Sequence, residues 1–133
     1  MAKLDTRCIT EELALNPSIC PIIAHWKEII HIALKYQDAC NGALSREIIM
    51  FLSLDFPGEG LTPIGGISPI HKRNLKKVLM MAGFEMRKCY RKESQKSERV
   101  WRIRKNLTHL TLHEIENNYA NKLIDFMAVR NLI

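Results

Sequence analysis

Residues 71–105 read HKRNLKKVLMMAGFEMRKCYRKESQKSERVWRIRK, and the fold turns on this stretch. Its first third has helical spacing: His71, Leu75, Val78, Leu79 and Ala82 fall on one face. Lys72, Arg73, Lys76, Lys77 and Met80 fall on the other, with Asn74 at the edge. Ser68 as a cap and Pro69 at the first helical position predict where this helix starts, and Gly83 predicts where it stops. After Phe84 the period shortens to two. Met86, Lys88 and Tyr90 alternate with Arg87, Cys89 and Arg91. A polar, turn-prone tract at 92–97 separates them from a second run formed by Arg99, Val100, Trp101, Arg102 and Ile103. Two such runs about a polar turn predict a β-hairpin.

The same stretch holds most of the positive charge. Between Ile67 and Lys105, thirteen Lys or Arg residues meet only Glu85, Glu93 and Glu98, a net +10. The rest of the 133-residue chain has seven bases and eleven acids, so the overall +6 is a strongly basic module within a mildly acidic remainder. Lys and Arg are mostly exposed in any protein, so a basic surface alone says little. Random scatter, however, would have placed acids among these bases. Their exclusion from one contiguous, amphipathic module is the electrostatic footprint of a polyanion-binding surface, with nucleic acid the leading ligand class.

Working outward, Pro21 opens a helix in which Ile22, Trp26, Ile29 or Ile30, Ala33 and Leu34 recur at helical spacing, and Asn41-Gly42 closes it. A second helix begins near Leu44-Ser45, with Ser45 as cap and Glu47 in its first turn. Ile48, Ile49, Phe51 and Leu52 form its core face, and Asp55, Phe56, Pro57 and Gly58 end it. A Gly- and Pro-rich loop at 57–67 leads to the basic helix. Residues 1–20 are weakly patterned, with a short helix expected between Thr10 and Asn16-Pro17. Downstream, Thr111 and Glu114 fit a capping box. Leu112, Ile115, Tyr119, Leu123, Phe126 and Met127 then make a broad apolar face for a helix over 111–133. The expectation is a single domain over 1–133, with its core in 21–105, mainly α with a small β-hairpin (α+β).

Several function classes find no support. The loop glycines lack the Lys-Ser/Thr that a phosphate-binding loop needs. Cys8, Cys20, Cys40 and Cys89 show no paired spacing and read as reduced, partly buried thiols. His109 and His113 are four apart but straddle the predicted cap, without the other ligands a zinc site requires. His25 and His31, beside Trp26, read as core-edge histidines. No nucleophile motif is present. The expectation is therefore no enzyme, no catalytic or metal-binding residue and no cofactor. With no apolar run of membrane-spanning length and no signal-peptide pattern, the expected location is the cytoplasm, on the nucleoid if the source is bacterial.

Helix, helix, basic helix and basic hairpin, quoted above as HKRNLKKVLMMAGFEMRKCYRKESQKSERVWRIRK, resemble the end of winged-helix domains (a helix-turn-helix variant) in prokaryotic and phage DNA-associated proteins. The shared pattern is a basic helix ending in a small residue and Gly-Phe, an Arg-rich strand, a polar wing and a closing strand with Trp or Tyr. It covers roughly residues 44–105. The resemblance implies a winged helix with extra N- and C-terminal helices, in which 68–82 is the recognition helix and 92–97 the wing tip. In such domains the recognition helix enters the major groove. Lys72, Arg73, Asn74, Lys76 and Lys77 would then read bases, while Arg87, Arg91, Lys92, Lys96 and Arg99 would hold phosphates. Duplex DNA is favoured over RNA, because aromatic residues are few in the basic module, with Tyr90 and Trp101 its candidate stacking surfaces. The implied role is a transcriptional regulator or accessory factor of a bacterium or mobile element. The competing expectation is a protein-interaction module, or a phage- or effector-type inhibitor, whose basic face meets an acidic or nucleic-acid-bound protein. The final helix either completes the core or pairs with a second copy in a homodimer. The 57–67 loop exceeds the usual three- or four-residue turn and departs from the pattern.

Overall fold

The computed structural model describes residues 21–61 and 67–129. The short helix expected after Thr10, the middle of the 57–67 loop and the final residues Leu132 and Ile133 lie outside the described residues, as does the side chain of Met127. The described part is mostly helical with one two-stranded antiparallel sheet, an α+β arrangement.

Helix α1 (Pro21–Ala24) and helix α2 (Trp26–Cys40) replace the single helix expected from Pro21. The break falls at His25, whose backbone leaves the helical region at φ −100°, ψ 29°. There the imidazole stacks on Phe56, with ring centroids 3.6 Å apart, and hydrogen-bonds the Glu59 carboxylate. His25 is thus a core-edge residue that ties the start of α2 to the loop beyond the next helix. His31, by contrast, is exposed and faces Glu116 across 4.0 Å. Asn41 closes α2 in the left-handed conformation (φ 65°), as the Asn-Gly pair predicts.

Ala43 then makes an isolated antiparallel bridge with Trp101, through Trp101 N–H to Ala43 O (2.8 Å) and Ala43 N–H to Trp101 O (3.3 Å). Helix α3 (Ser45–Asp55) follows directly. Its cap position is Leu44, whose N–H donates to Glu47 Oε1. Ser45, expected as the cap, instead accepts the indole N–H of Trp101 at 3.0 Å. Ile48, Ile49 and Leu52 are buried as expected. Phe51 is not: it sits at the helix edge, its ring meeting Tyr36 edge-on.

Helix α4 (Pro69–Ala82) has Pro at its first position and stops at Gly83, which is left-handed at φ 104°. Ser68 caps through its carbonyl, which accepts Lys72 N–H, and its side chain makes no cap hydrogen bond. Strands β1 (Phe84–Arg91) and β2 (Lys96–Ile103) pair from Phe84↔Ile103 to Arg91↔Lys96, so the turn spans only 92–95. A 3-10 turn (Lys105–Leu107) leads to α5 (Leu112–Val129). Thr111 and Glu114 make the expected capping box, with hydrogen bonds in both directions.

One buried cluster draws on every one of these helices and both strands. Ile115 and Tyr119 of α5 lie within it, and Leu112, Leu123 and Phe126 pack against it. The apolar face of the last helix therefore completes the core of its own chain. Leu61 is buried too, anchoring the loop between α3 and α4. No described helix is long and apolar enough to cross a membrane.

Candidate nucleic-acid interface

Helix α4 buries Asn74, Leu75, Val78, Leu79 and Ala82, an arc of the helical wheel. The opposite arc, at i, i+3, i+4, i+7 and i+11, is Pro69, Lys72, Arg73, Lys76 and Met80, and all five are exposed. Lys77 is half-buried at the margin of this arc. Asn74, expected to read bases, is 1% exposed and belongs to the core side. Its position at the edge of the apolar stripe falls inside the buried arc.

In the hairpin, the strand period of two sorts most of the cations into two kinds, Lys96 being exposed at the turn although it stands opposite Arg91. On one face Arg87, Arg91 and Arg102 are engaged within the molecule. Arg87 donates to Ile103 O and Arg102 to Asn41 O. Arg91 is 2% exposed and is held by Glu47 at 3.0 Å, Glu98 at 3.6 Å and Glu93 at 3.7 Å, with a longer bond to Cys40 O. Burial works against its charge, but the hydrogen bond and charge of Glu47 more than offset this and hold its pKa above the usual arginine value. Arg91 is therefore a structural clamp rather than the phosphate contact its position in a basic strand suggests, whereas Arg87 is half-buried and tied to the partner strand by one hydrogen bond. The pairing partner Glu47 lies 44 residues upstream, on α3, where no local pattern could reveal it.

On the other face, Lys88 and Arg99 stand directly opposite one another across the strands, and both are exposed. Their same-face neighbours are Met86 opposite Trp101 and Tyr90 opposite Ser97, so no carboxylate stands between them. Like charges directly opposed across a sheet are destabilising, and an anion laid over them removes that penalty. Lys88 is a candidate contact that sequence reasoning misses. Its alternation with Arg87 is visible, but which strand positions stay exposed cannot be chosen without the tertiary packing, since α3 bonds Trp101 on the face of Lys88 and Arg91 on the other.

The two exposed surfaces meet. Lys76 and Met80 of α4 line one cleft with Met86, Arg99 and Trp101 of the hairpin and with Arg104 beyond it. Lys92 and Lys96 extend the basic surface to the turn, and both are exposed. Among the described residues, Lys72, Arg73, Lys76, Lys88, Lys92, Lys96 and Arg99 carry no ion pair.

Other chemistry is sparse. Cys40 and Cys89 are free thiols, while Cys8 and Cys20 lie outside the described residues. Partial burial, reinforced by a hydrogen bond to Glu93, pushes the Cys40 thiol pKa up and keeps it protonated at neutral pH. Among the described residues, no group of three or more His, Cys, Asp or Glu side chains is placed to hold a metal ion. Compared with known proteins, the chain matches no family model, no curated protein and no solved structure.

Proposed function

We propose that the chain is a non-enzymatic, winged-helix DNA-binding protein acting as a transcriptional regulator or accessory factor. The observation that carries this reading is the segregation of charge. The hairpin's carboxylates Glu93 and Glu98 are drawn to Arg91 on one side, while among the described residues Lys72, Arg73 and Lys76 of α4 and Lys88 and Arg99 of the opposite hairpin face carry no ion pair. A surface that keeps unneutralised Lys and Arg side by side is suited to a polyanion. The order of elements supports the same reading: helix, a one-residue bridge to the last strand, helix, helix and hairpin follow the sequence of a winged helix. In that arrangement α4 enters the major groove with Lys72, Arg73 and Lys76 towards the bases. Lys88, Lys92, Lys96 and Arg99 lie along the phosphate backbone.

Charge reversal at Arg73→Glu with Lys76→Glu tests this by fluorescence anisotropy on duplex DNA at low salt. Both residues are exposed, so the variant stays folded by circular dichroism and loses at least tenfold in affinity. Equal binding by wild type and variant overturns the placement of α4.

The alternative, a protein-interaction module, has one feature of its own in its favour: Met50, Phe51 and Leu54 are exposed together on α3. Such a module would bind an acidic protein without any duplex binding at low salt. A homodimer through α5 would rest on Ile124 and Val129, its exposed large apolar residues among those described. Sedimentation of Ile124→Lys against wild type tests that arrangement.

A further inference from the structure

Met80 is 44% exposed and stands in the middle of the cationic arc of α4. It follows Arg73 by seven residues, so the two project within about 20° of each other, roughly 10 Å apart along the axis. A flexible apolar side chain between Lys76, Arg99 and Arg104 has no structural need to face water there. Beneath it the cleft floor is apolar, built from Phe84, Met86 and Trp101, while its rim is cationic. Glu85 is the one acid in the lining. Such a site suits an apolar substituent carried on a polyanion. In the major groove of duplex DNA, the apolar group presented at the base edges is the C5-methyl of thymine.

We infer that Met80 is a specificity-determining residue that packs on a thymine methyl near the C-terminal end of α4. This rests on the DNA-binding reading and adds a base preference to it. Lys72, Arg73 and Lys76 bring the helix to the groove, and the polarizable thioether of Met80 adapts to the methyl. Sugar contact would use the same apolar atoms but would not distinguish thymine from uracil.

The test compares two alternating duplexes of equal length, one of dA and dT and one of dA and deoxyuridine, which differ only in the C5-methyl. Binding is read by anisotropy at one salt concentration for wild type, Met80→Ala and Lys72→Gln. Wild type is expected to prefer the thymine duplex about fourfold, the value of burying roughly one methyl. Met80→Ala, checked for folding by circular dichroism, should bring the two affinities within about 1.5-fold. Lys72→Gln should weaken both duplexes and keep the preference. If wild type binds both equally, or Met80→Ala keeps the preference, the inference fails and the DNA-binding reading stands. If wild type binds neither duplex even at low salt, both fail together.

Discussion

At Gly42 the backbone has φ 141°, and an added Cβ would lie 2.4 Å from Val100 Cγ2 and 3.1 Å from the Trp101 carbonyl. The close approach exists because the neighbouring Ala43 is bridged to Trp101. Gly42→Ala must therefore push β2 away from the end of α2, at a cost of about 1–3 kcal/mol. A lower urea midpoint with an unchanged slope would show it, and an unchanged midpoint would contradict the close approach. Arg91 makes the opposite kind of point. Arg91→Ala leaves Glu47 and Glu98 without their cationic partner and should cost about 3 kcal/mol, seen as a lowered Tm. Arg99→Gln, on the exposed face of the hairpin, should leave Tm nearly unchanged. At this scale the sequence is partly misleading. Arg91 and Asn74 read as contacts because Arg at a strand end and Asn at a helix edge are usually solvated. Only the fold brings Glu47 to Arg91 and places Asn74 under its neighbours.

Helix ends are more legible than helix faces. Pro69, Gly83 and the Thr111–Glu114 pair mark boundaries through backbone chemistry that acts within four residues. Faces depend on packing between distant elements, so Phe51 reads as a core residue and is exposed, its ring against Tyr36. The one-residue bridge at Ala43 has no periodicity to announce it. The cap of α5 also makes a pH prediction. Hydrogen bonds from the Thr111 N–H and hydroxyl hold the Glu114 carboxyl below the usual glutamate range. Its folded-state pKa thus lies below the unfolded value. The stabilisation is full above the ordinary glutamate range and is lost as pH falls through the lowered native pKa. Glu114→Gln should flatten that part of the acid stability curve, and an identical curve would contradict the cap. Thr111→Ala should lower stability by about 1 kcal/mol at neutral pH, measured by urea unfolding.

For the whole molecule, the concentration of charge in 67–105 is legible in the sequence, as is an α+β chain ending its basic stretch in a hairpin. The sorting of that charge is not. Strand alternation separates Arg87, Arg91 and Arg102, which clamp the hairpin to α2, α3 and its own partner strand, from Lys88 and Arg99, which face outward. Which of these cations stays exposed depends on tertiary packing, because α3 reaches both faces, through Ser45 to Trp101 and through Glu47 to Arg91. The most direct measurement of the central claim is the salt dependence of duplex-DNA binding by wild type, by Lys88→Gln/Arg99→Gln and by Arg102→Gln. Wild-type affinity should fall steeply and linearly on logarithmic axes. The outward double variant should reduce the slope by about two, one for each phosphate it no longer neutralises, while Arg102→Gln should leave it unchanged. Equal slopes for all three proteins, or no wild-type binding at low salt, would contradict the account.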